Sequence, residues 1–343
     1  MGKHIYGITG TGEEKDFGPV GISGKDDIVY TIPYRDIAAL VSSSPSLAYE
    51  SIPKETLVHY LAVHQAVIEG VMKIYTVIPT KFGTVARDKE EVQEILESGY
   101  SQFKDVLERM DNKIELEVVA LWSNLDSVLK EIGEEEKIKK FKERIATTPP
   151  QKVLSAKIEL GKMVKLLLDE RRDKVGSEII DELKKWTLDF RNHEVFGDTM
   201  IMNTAFLVNK HQEEDFDRTI DYLNKKYQEK INFRIIGPLP PYSFSTLELK
   251  RMEFEKVKEA ARILDLDEEA TLSEVKEAYR SLTRRFHPDR NPHDPNAQKR
   301  FEKISEAYHT LIDYGSGDKY SFKEKKNKDL TMVKILETPK GFK

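Results

Sequence analysis

Two prolines set four residues apart, Pro288 and Pro292, interrupt an otherwise helical stretch near the carboxy-terminal end of the chain. Neither can continue an α-helix, because proline lacks a backbone N–H and its ring collides with the preceding turn. Before the break, Thr271 and Glu274 form a T-x-x-E capping box that opens a helix. Val275, Ala278, Tyr279, Leu282 and Phe286 then share one face, and Lys276, Arg280, Arg284 and Arg285 share the opposite one, partly offset by Glu274 and Glu277. After the break, Asp294 and Pro295 have the character of an N-cap and a first-turn residue. Phe301, Ile304, Ala307, Tyr308 and Leu311 supply a second apolar stripe. Two such helices on so short a connector pack antiparallel, leaving His287-Pro288-Asp289 at an exposed tip.

This arrangement resembles the J-domain of DnaJ-type co-chaperones. The matching residues are Ile263-Leu264-Asp265-Leu266, the Thr271 cap, the run Val275 to Arg280, Phe286-His287-Pro288-Asp289, and the run Phe301 to Tyr308. The resemblance implies that His287, Pro288 and Asp289 dock on a DnaK-type chaperone and stimulate its ATP hydrolysis. It also implies that Lys276, Arg280, Arg284 and Arg285 supply the electrostatic face. Taken alone, a basic stripe is an ordinary solvated helix face. Metal binding at His287, Asp289, His293 and Asp294 is disfavoured because no supporting shell is evident. Acid–base catalysis on this loop lacks a nucleophile and a pocket.

Upstream, residues 3–8, 28–32, 37–41, 74–79, 114–122, 200–208 and 231–236 read as strands. Residues 53–72, 88–110, 134–146, 151–172, 176–190 and 211–228 read as helices. The expected division is an α/β domain over 1–111, a second over 112–246, a charged helical linker over 247–259, the helical hairpin module over 260–314, and a flexible basic tail over 315–343. The overall class is α+β. No exact internal repeat is visible, although both α/β halves mix strands and helices in a similar way.

The segment 3–245 resembles the GvpF/GvpL family of gas vesicle proteins. The resemblance rests on Tyr6-Gly7-Ile8, His64, Val67-Ile68, the run Val77-Ile78-Pro79-Thr80-Lys81-Phe82-Gly83-Thr84-Val85, Ala205 to Val208, and Gly237-Pro238-Leu239-Pro240-Pro241-Tyr242-Ser243-Phe244. Lys81 stands where the family usually has Arg, and Lys cannot reproduce a forked Arg contact. The resemblance implies a ferredoxin-like N-terminal domain and contacts with the hydrophobic shell protein and other gas vesicle accessory proteins. It supplies no catalytic residue. Physically, Gly83 permits a turn and Phe82 fills a core.

The net charge of −5 over 343 residues argues against nucleic acid as a partner. With no cysteine, thiol catalysis and thiolate metal sites are excluded. No run approaches the roughly 18 apolar residues of a membrane span, and no secretory signal opens the chain. The expectation is therefore a cytoplasmic, gas vesicle-associated, non-enzymatic protein without cofactor or metal. It recruits a DnaK-type chaperone to gas vesicle components; the alternative is a general J-domain co-chaperone whose α/β region binds many clients. No phosphate loop, G-x-S-x-G elbow or H-E-x-x-H points to an enzyme.

Overall fold

The computed structural model describes residues 2–24, 26–44, 52–292, 294–314, 319–322 and 329–339. The first domain contains β1 (Lys3–Thr9), β2 (Tyr30–Tyr34), β3 (Ile37–Ser43), α1 (Lys54–Val71), β4 (Val77–Pro79), β5 (Val85–Ala86) and α2 (Lys89–Met110). Its sheet is antiparallel in the order β2-β3-β1-β4, with β5 also on β1. Both faces are covered, so β1 reads as a nearly continuous buried run. Ile5, Ile8, Ile37 and Ile78 pack with Val92, Ile95, Leu96 and Phe103 of α2. Tyr6, Leu40 and Val77 pack with Val67, Ile68 and Val71 of α1 on the other side.

The second domain contains β6 (Lys113–Trp122), α3 (Leu125–Gly133), α4 (Glu136–Ala146), α5 (Pro150–Leu183), β7 (Asp189–Asn192), β8 (Met200–Asn209), α6 (Glu213–Tyr227) and β9 (Ile231–Leu239). Its sheet order, β7-β8-β6-β9, repeats that of the first sheet. Its chain order is strand, helices, strand, strand, helix, strand, the ferredoxin-like pattern. So the similarity of the two halves extends to sheet topology. The two expected helices over 151–190 are instead one helix ending at Leu183, followed by β7. No proline interrupts it, and Leu167, Leu168, Ile179 and Leu183 stay buried along its length.

Pro238 sits in β9, an edge strand, where a missing N–H costs no ladder bond. The Gly237–Pro238 peptide is cis. Gly237 has φ +143°, and a Cβ there would lie 2.8 Å from the Glu115 carbonyl oxygen. After β9, Pro241 accepts from the N–H groups of Phe244 and Ser245, which turns the chain and buries Phe244.

Two expectations need correction here. Residues 247–259 do not form one helix: β10 (Thr246–Glu253) is a strand, and only then does α7 (Phe254–Ile263) begin. Leu247 and Leu249 alternate with Glu248, a period of two, and both apolar residues pack on the first domain's core. Nor is 315–343 a flexible tail throughout: it holds β12 (Lys319–Ser321) and β13 (Asp329–Leu336). Residues 315–318, 323–328 and 340–343 of that segment lie outside the described residues. β13 pairs antiparallel with β10, from Thr246↔Leu336 to Glu253↔Asp329. β12 pairs with β11 (Glu269–Thr271).

The remaining elements are α8 (Leu272–Phe286) and α9 (Ala297–Tyr314). With α7 they enclose a separate core of Val257, Ala261, Leu264, Val275, Ile304 and Leu311, closed by Tyr320 and Phe322. The helical part of the expected linker thus belongs to this module.

Gly237→Ala should lower unfolding free energy by about 1–3 kcal/mol, because a side chain must enter a strained φ against Glu115. Gly161→Ala, in open space on α5, should raise it by about 1 kcal/mol through helix propensity. Urea unfolding midpoints at constant m-value read both changes.

Candidate functional site: the helical tip and the body motifs

The capping box is formed as the sequence requires: Thr271 Oγ1 accepts from the Glu274 N–H at 3.2 Å, and Glu274 accepts from the Thr271 N–H at 2.6 Å. α8 then runs to Phe286, and Tyr279 stacks on Tyr308 of α9 at 4.1 Å between ring centroids. Lys276, Arg280, Arg284 and Arg285 are all exposed, and Arg290 joins them on the same basic surface.

His287 ends α8 in an extended conformation, and Pro288–Arg290 form one short 3-10 turn. The His287 carbonyl accepts from the N–H groups of Arg290 and Asn291 at 3.0 and 3.1 Å. The Asn291 side-chain amide donates to the carbonyls of Arg285 (2.9 Å) and His287 (3.0 Å). It thereby satisfies acceptors that the end of α8 leaves free. His287 Nδ1 accepts from the Asp289 N–H at 3.2 Å, so a neutral ring carries its proton on Nε2. The ring meets Phe301 edge-on at 5.4 Å. The side chains remain open to solvent, 42% for His287 and 89% for Asp289. α9 begins at Ala297, two residues beyond the expected Pro295 start, and Asp294 Oδ1 accepts from the Asn296 N–H. His293 lies outside the described residues.

In the body, Pro79 ends β4, and the Thr80 N–H and hydroxyl donate to the carbonyls of Tyr6 and Ile5. The Lys81 N–H donates to the Leu247 carbonyl, and Lys81 Nζ pairs with Glu248 at 2.9 Å. Here the cation grips β10 rather than standing free. Gly83 has φ +87°, and the Thr84 hydroxyl closes the turn on the Lys81 carbonyl at 2.5 Å. Phe82 is half-buried against His4 and His64, at 5.8 and 5.5 Å.

Residues 2–246 match the family described as "Gas vesicle synthesis protein GvpL/GvpF", and residues 259–320 match the DnaJ domain. The chain belongs to the GvpL/GvpF gas vesicle family. It carries a J-domain in addition. Gas vesicle protein F of Microcystis aeruginosa is 24% identical over 208 residues, covering 59% of this chain and 84% of its own length. That of Haloferax mediterranei is 20% identical, covering 67% and 86%. Chaperone protein DnaJ 1 of Aquifex aeolicus is 52% identical over 59 residues, which is 17% of this chain and 16% of that chaperone. The crystal structure of GvpF from Anabaena sp. PCC7120 aligns with a TM-score of 0.62 at 20% identity, over 71% of this chain and 97% of that one. Its counterpart from Microcystis aeruginosa aligns with a TM-score of 0.57 at 19% identity, over 71% and 98%.

Within the GvpL/GvpF region, His64 is not an isolated core residue. His4 Nε2 donates to His64 Nδ1 at 2.9 Å, and His64 Nε2 faces the Thr80 carbonyl at 3.3 Å. This relay fixes one tautomer on each ring. Burial pushes His4 down to about 3 and His64 down to about 4, so both are neutral at physiological pH.

A second polar network joins β6 to the proline-rich motif. The Ser243 N–H and hydroxyl both donate to Glu115, at 2.7 and 2.8 Å. His193 Nε2 reaches Ser243 Oγ at 3.1 Å, and Nδ1 reaches Glu117 at 3.3 Å. Burial raises Glu115 to about 7, while the Glu117 hydrogen bond raises His193. Serine, histidine and carboxylate are aligned as in a hydrolase, but the buried Ser243 hydroxyl is spent on Glu115, so the network reads as a brace. Tyr242 packs beside it, and burial raises its hydroxyl, which has no hydrogen-bond partner among the described residues. Glu115, His193, Asn291 and Arg290 were not singled out by sequence. Only Asn291 carried a usable signal, as a small amide just past a proline-stopped helix.

The depressed histidines give a signed pH effect. The unfolded chain binds protons near pH 6.5 and the folded chain only near 4, so stability from neutral His64 is present above pH 6.5 and lost on acidification. His64→Gln removes this titration. The stability gap between wild type and His64→Gln should therefore narrow by about 2 kcal/mol between pH 7.5 and pH 5, read by urea unfolding at each pH.

Proposed function

We propose that this protein is a gas vesicle assembly factor that recruits a DnaK-type chaperone to the hydrophobic shell protein before that protein is incorporated. The observation that carries this reading is the tip: His287 and Asp289 are solvent-open on a braced turn, next to an exposed basic helix face. A rigid, pre-formed turn loses little freedom on docking. The arginine face favours encounter with an acidic partner surface.

The body supports the gas vesicle half of the reading through its family. A shell subunit with large apolar surface aggregates unless it is held or handed on. Joining the chaperone-recruiting module to a body that contacts such a subunit raises local chaperone concentration at the client. On this reading the protein works in the cytoplasm and at the gas vesicle, together with other gas vesicle accessory proteins. It acts by binding rather than by catalysis. Among the described residues, no helix is long and apolar enough to cross a membrane, and no cluster of three or more histidine and acidic side chains suits a metal ion.

Purified chain should accelerate ATP turnover by a DnaK-type chaperone, and His287→Gln should return turnover to the level of the chaperone alone. Arg280→Ala with Arg284→Ala should weaken association about tenfold at low ionic strength and less at high salt. Equal stimulation by wild type and His287→Gln would defeat the recruiting role. In cells, deletion of the protein should reduce the yield of floating vesicles, and normal flotation would defeat the assembly role.

A further inference from the structure

The J-domain is attached to the body at both ends. It is entered from β10 with no intervening residue, because Glu253 ends the strand and Phe254 starts α7. After α9 and β12 the chain returns as β13, which pairs with β10 over the full eight residues of each strand. Among the described residues the helical core draws on 254–322 alone, and the ribbon of β10 and β13 connects the module to the body.

That ribbon is seated on the body by three kinds of contact. Leu247 is fully buried, and Leu249, Val333 and Ile335 pack on the same core as α2. A parallel bridge between Thr80 and Leu247 and the Lys81–Glu248 ion pair attach β10 beside β4. Just past β13, Glu337 pairs with Arg109 of α2 at 2.8 Å and with Arg191 of β7 at 3.3 Å. The Thr338 N–H donates to the Ser243 carbonyl at 2.8 Å. Arg191 is buried between Asp189, Glu337 and the Phe244 ring, so the tail supplies part of the counter-charge of a buried guanidinium. In the other direction, Lys334 of β13 reaches Asp313 near the end of α9 at 3.5 Å.

We propose that residues 329–338 are a carboxy-terminal clasp that fixes the orientation of the J-domain on the GvpL/GvpF body. A module held by one strand swivels about its linker, whereas one held by two paired strands seated on a core does not. The clasp presents the tip in one direction relative to whatever the body binds; that consequence rests on the function proposed above, while the orientation itself does not.

The absence of cysteine makes a direct test simple. Spin labels at Glu97→Cys on α2 and Lys299→Cys on α9, both exposed, report body-to-module distances by pulsed electron resonance. The full chain should give one narrow distribution. A chain ending at residue 328, and the full-length pair Val333→Asp with Ile335→Asp, should each broaden it about twofold or more. Far-UV circular dichroism identifies which variants stay folded, and the full-length pair carries the test if the truncation unfolds. A folded variant with the distribution of the full chain overturns the clasp. ATP turnover by the DnaK-type chaperone in solution should be unchanged in the released variants, since their tips are intact. Loss of turnover in a folded variant with the His287 turn intact would make the tail part of the docking surface and overturn the proposal. Failure of the recruiting function is read separately, from His287→Gln.

Discussion

A helix end exposes carbonyl groups that need donors, and at the end of α8 this need shapes the solvent-open tip. Pro288 stops the helix, and the Asn291 amide takes up the carbonyls of Arg285 and His287. The backbone of Arg290 and Asn291 folds onto His287 as well. The imidazole is steadied between the Asp289 N–H and the Phe301 ring. A loop of the same length without these donors would be free to fray, and the solvent-open side chains would then have no fixed geometry to offer a partner.

The body obeys a different constraint. Its two sheets do not have independent cores. Tyr6 and α1 of the first domain share one apolar cluster with β6, β8 and α6 of the second. On the far side, α2 shares its cluster with Ala205 and Leu207 of β8 and with the ribbon. Polar groups caught between these layers are paired across long stretches of chain: His4 with His64, and Glu115 with Ser243. An unpaired buried carboxylate or imidazole in such a place would cost several kcal/mol. The first network joins β1, α1 and the turn after β4, and the second joins β6 to the proline-rich motif, so each ties family motifs to the sheet of its own domain. In this light the Gly-Pro-Leu-Pro-Pro-Tyr-Ser-Phe segment ends β9 and delivers Ser243 to Glu115, while Phe244 enters the core.

Local periodicity made the helical hairpin legible. The capping box, the stripe from Val275 to Phe286 and the proline break all lie within twenty-two residues of each other, about as much chain as local rules govern. Most strands were legible for the same reason. What escaped were features decided at a distance. β10 reads as a charged run until β13 arrives from more than seventy residues away to pair with it. β13 in turn follows a lysine-rich stretch that suggests a tail by composition. Glu115 and Ser243 are 128 positions apart, and nothing about either residue announces the other. Between the two helices expected over 151–172 and 176–190 the departure is the reverse, since burial of Ile179 and Leu183 carries a single helix through Asp173 to Val175.

After α9 the chain forms β12, and Tyr320 and Phe322 close the module's core. The Tyr314 hydroxyl donates to the Ser321 carbonyl and holds this return in place. A closing strand turns the chain back, where a long terminal helix would carry it outward. That return is what allows β13 to reach β10. The contact between Lys334 and Asp313 lies at the end of α9 remote from the tip. His287 packs on Phe301, twelve residues before Asp313, so the tip stands about 18 Å along α9 from that contact. Closing the module by a strand and presenting its tip at a distance are thus two consequences of one chain path.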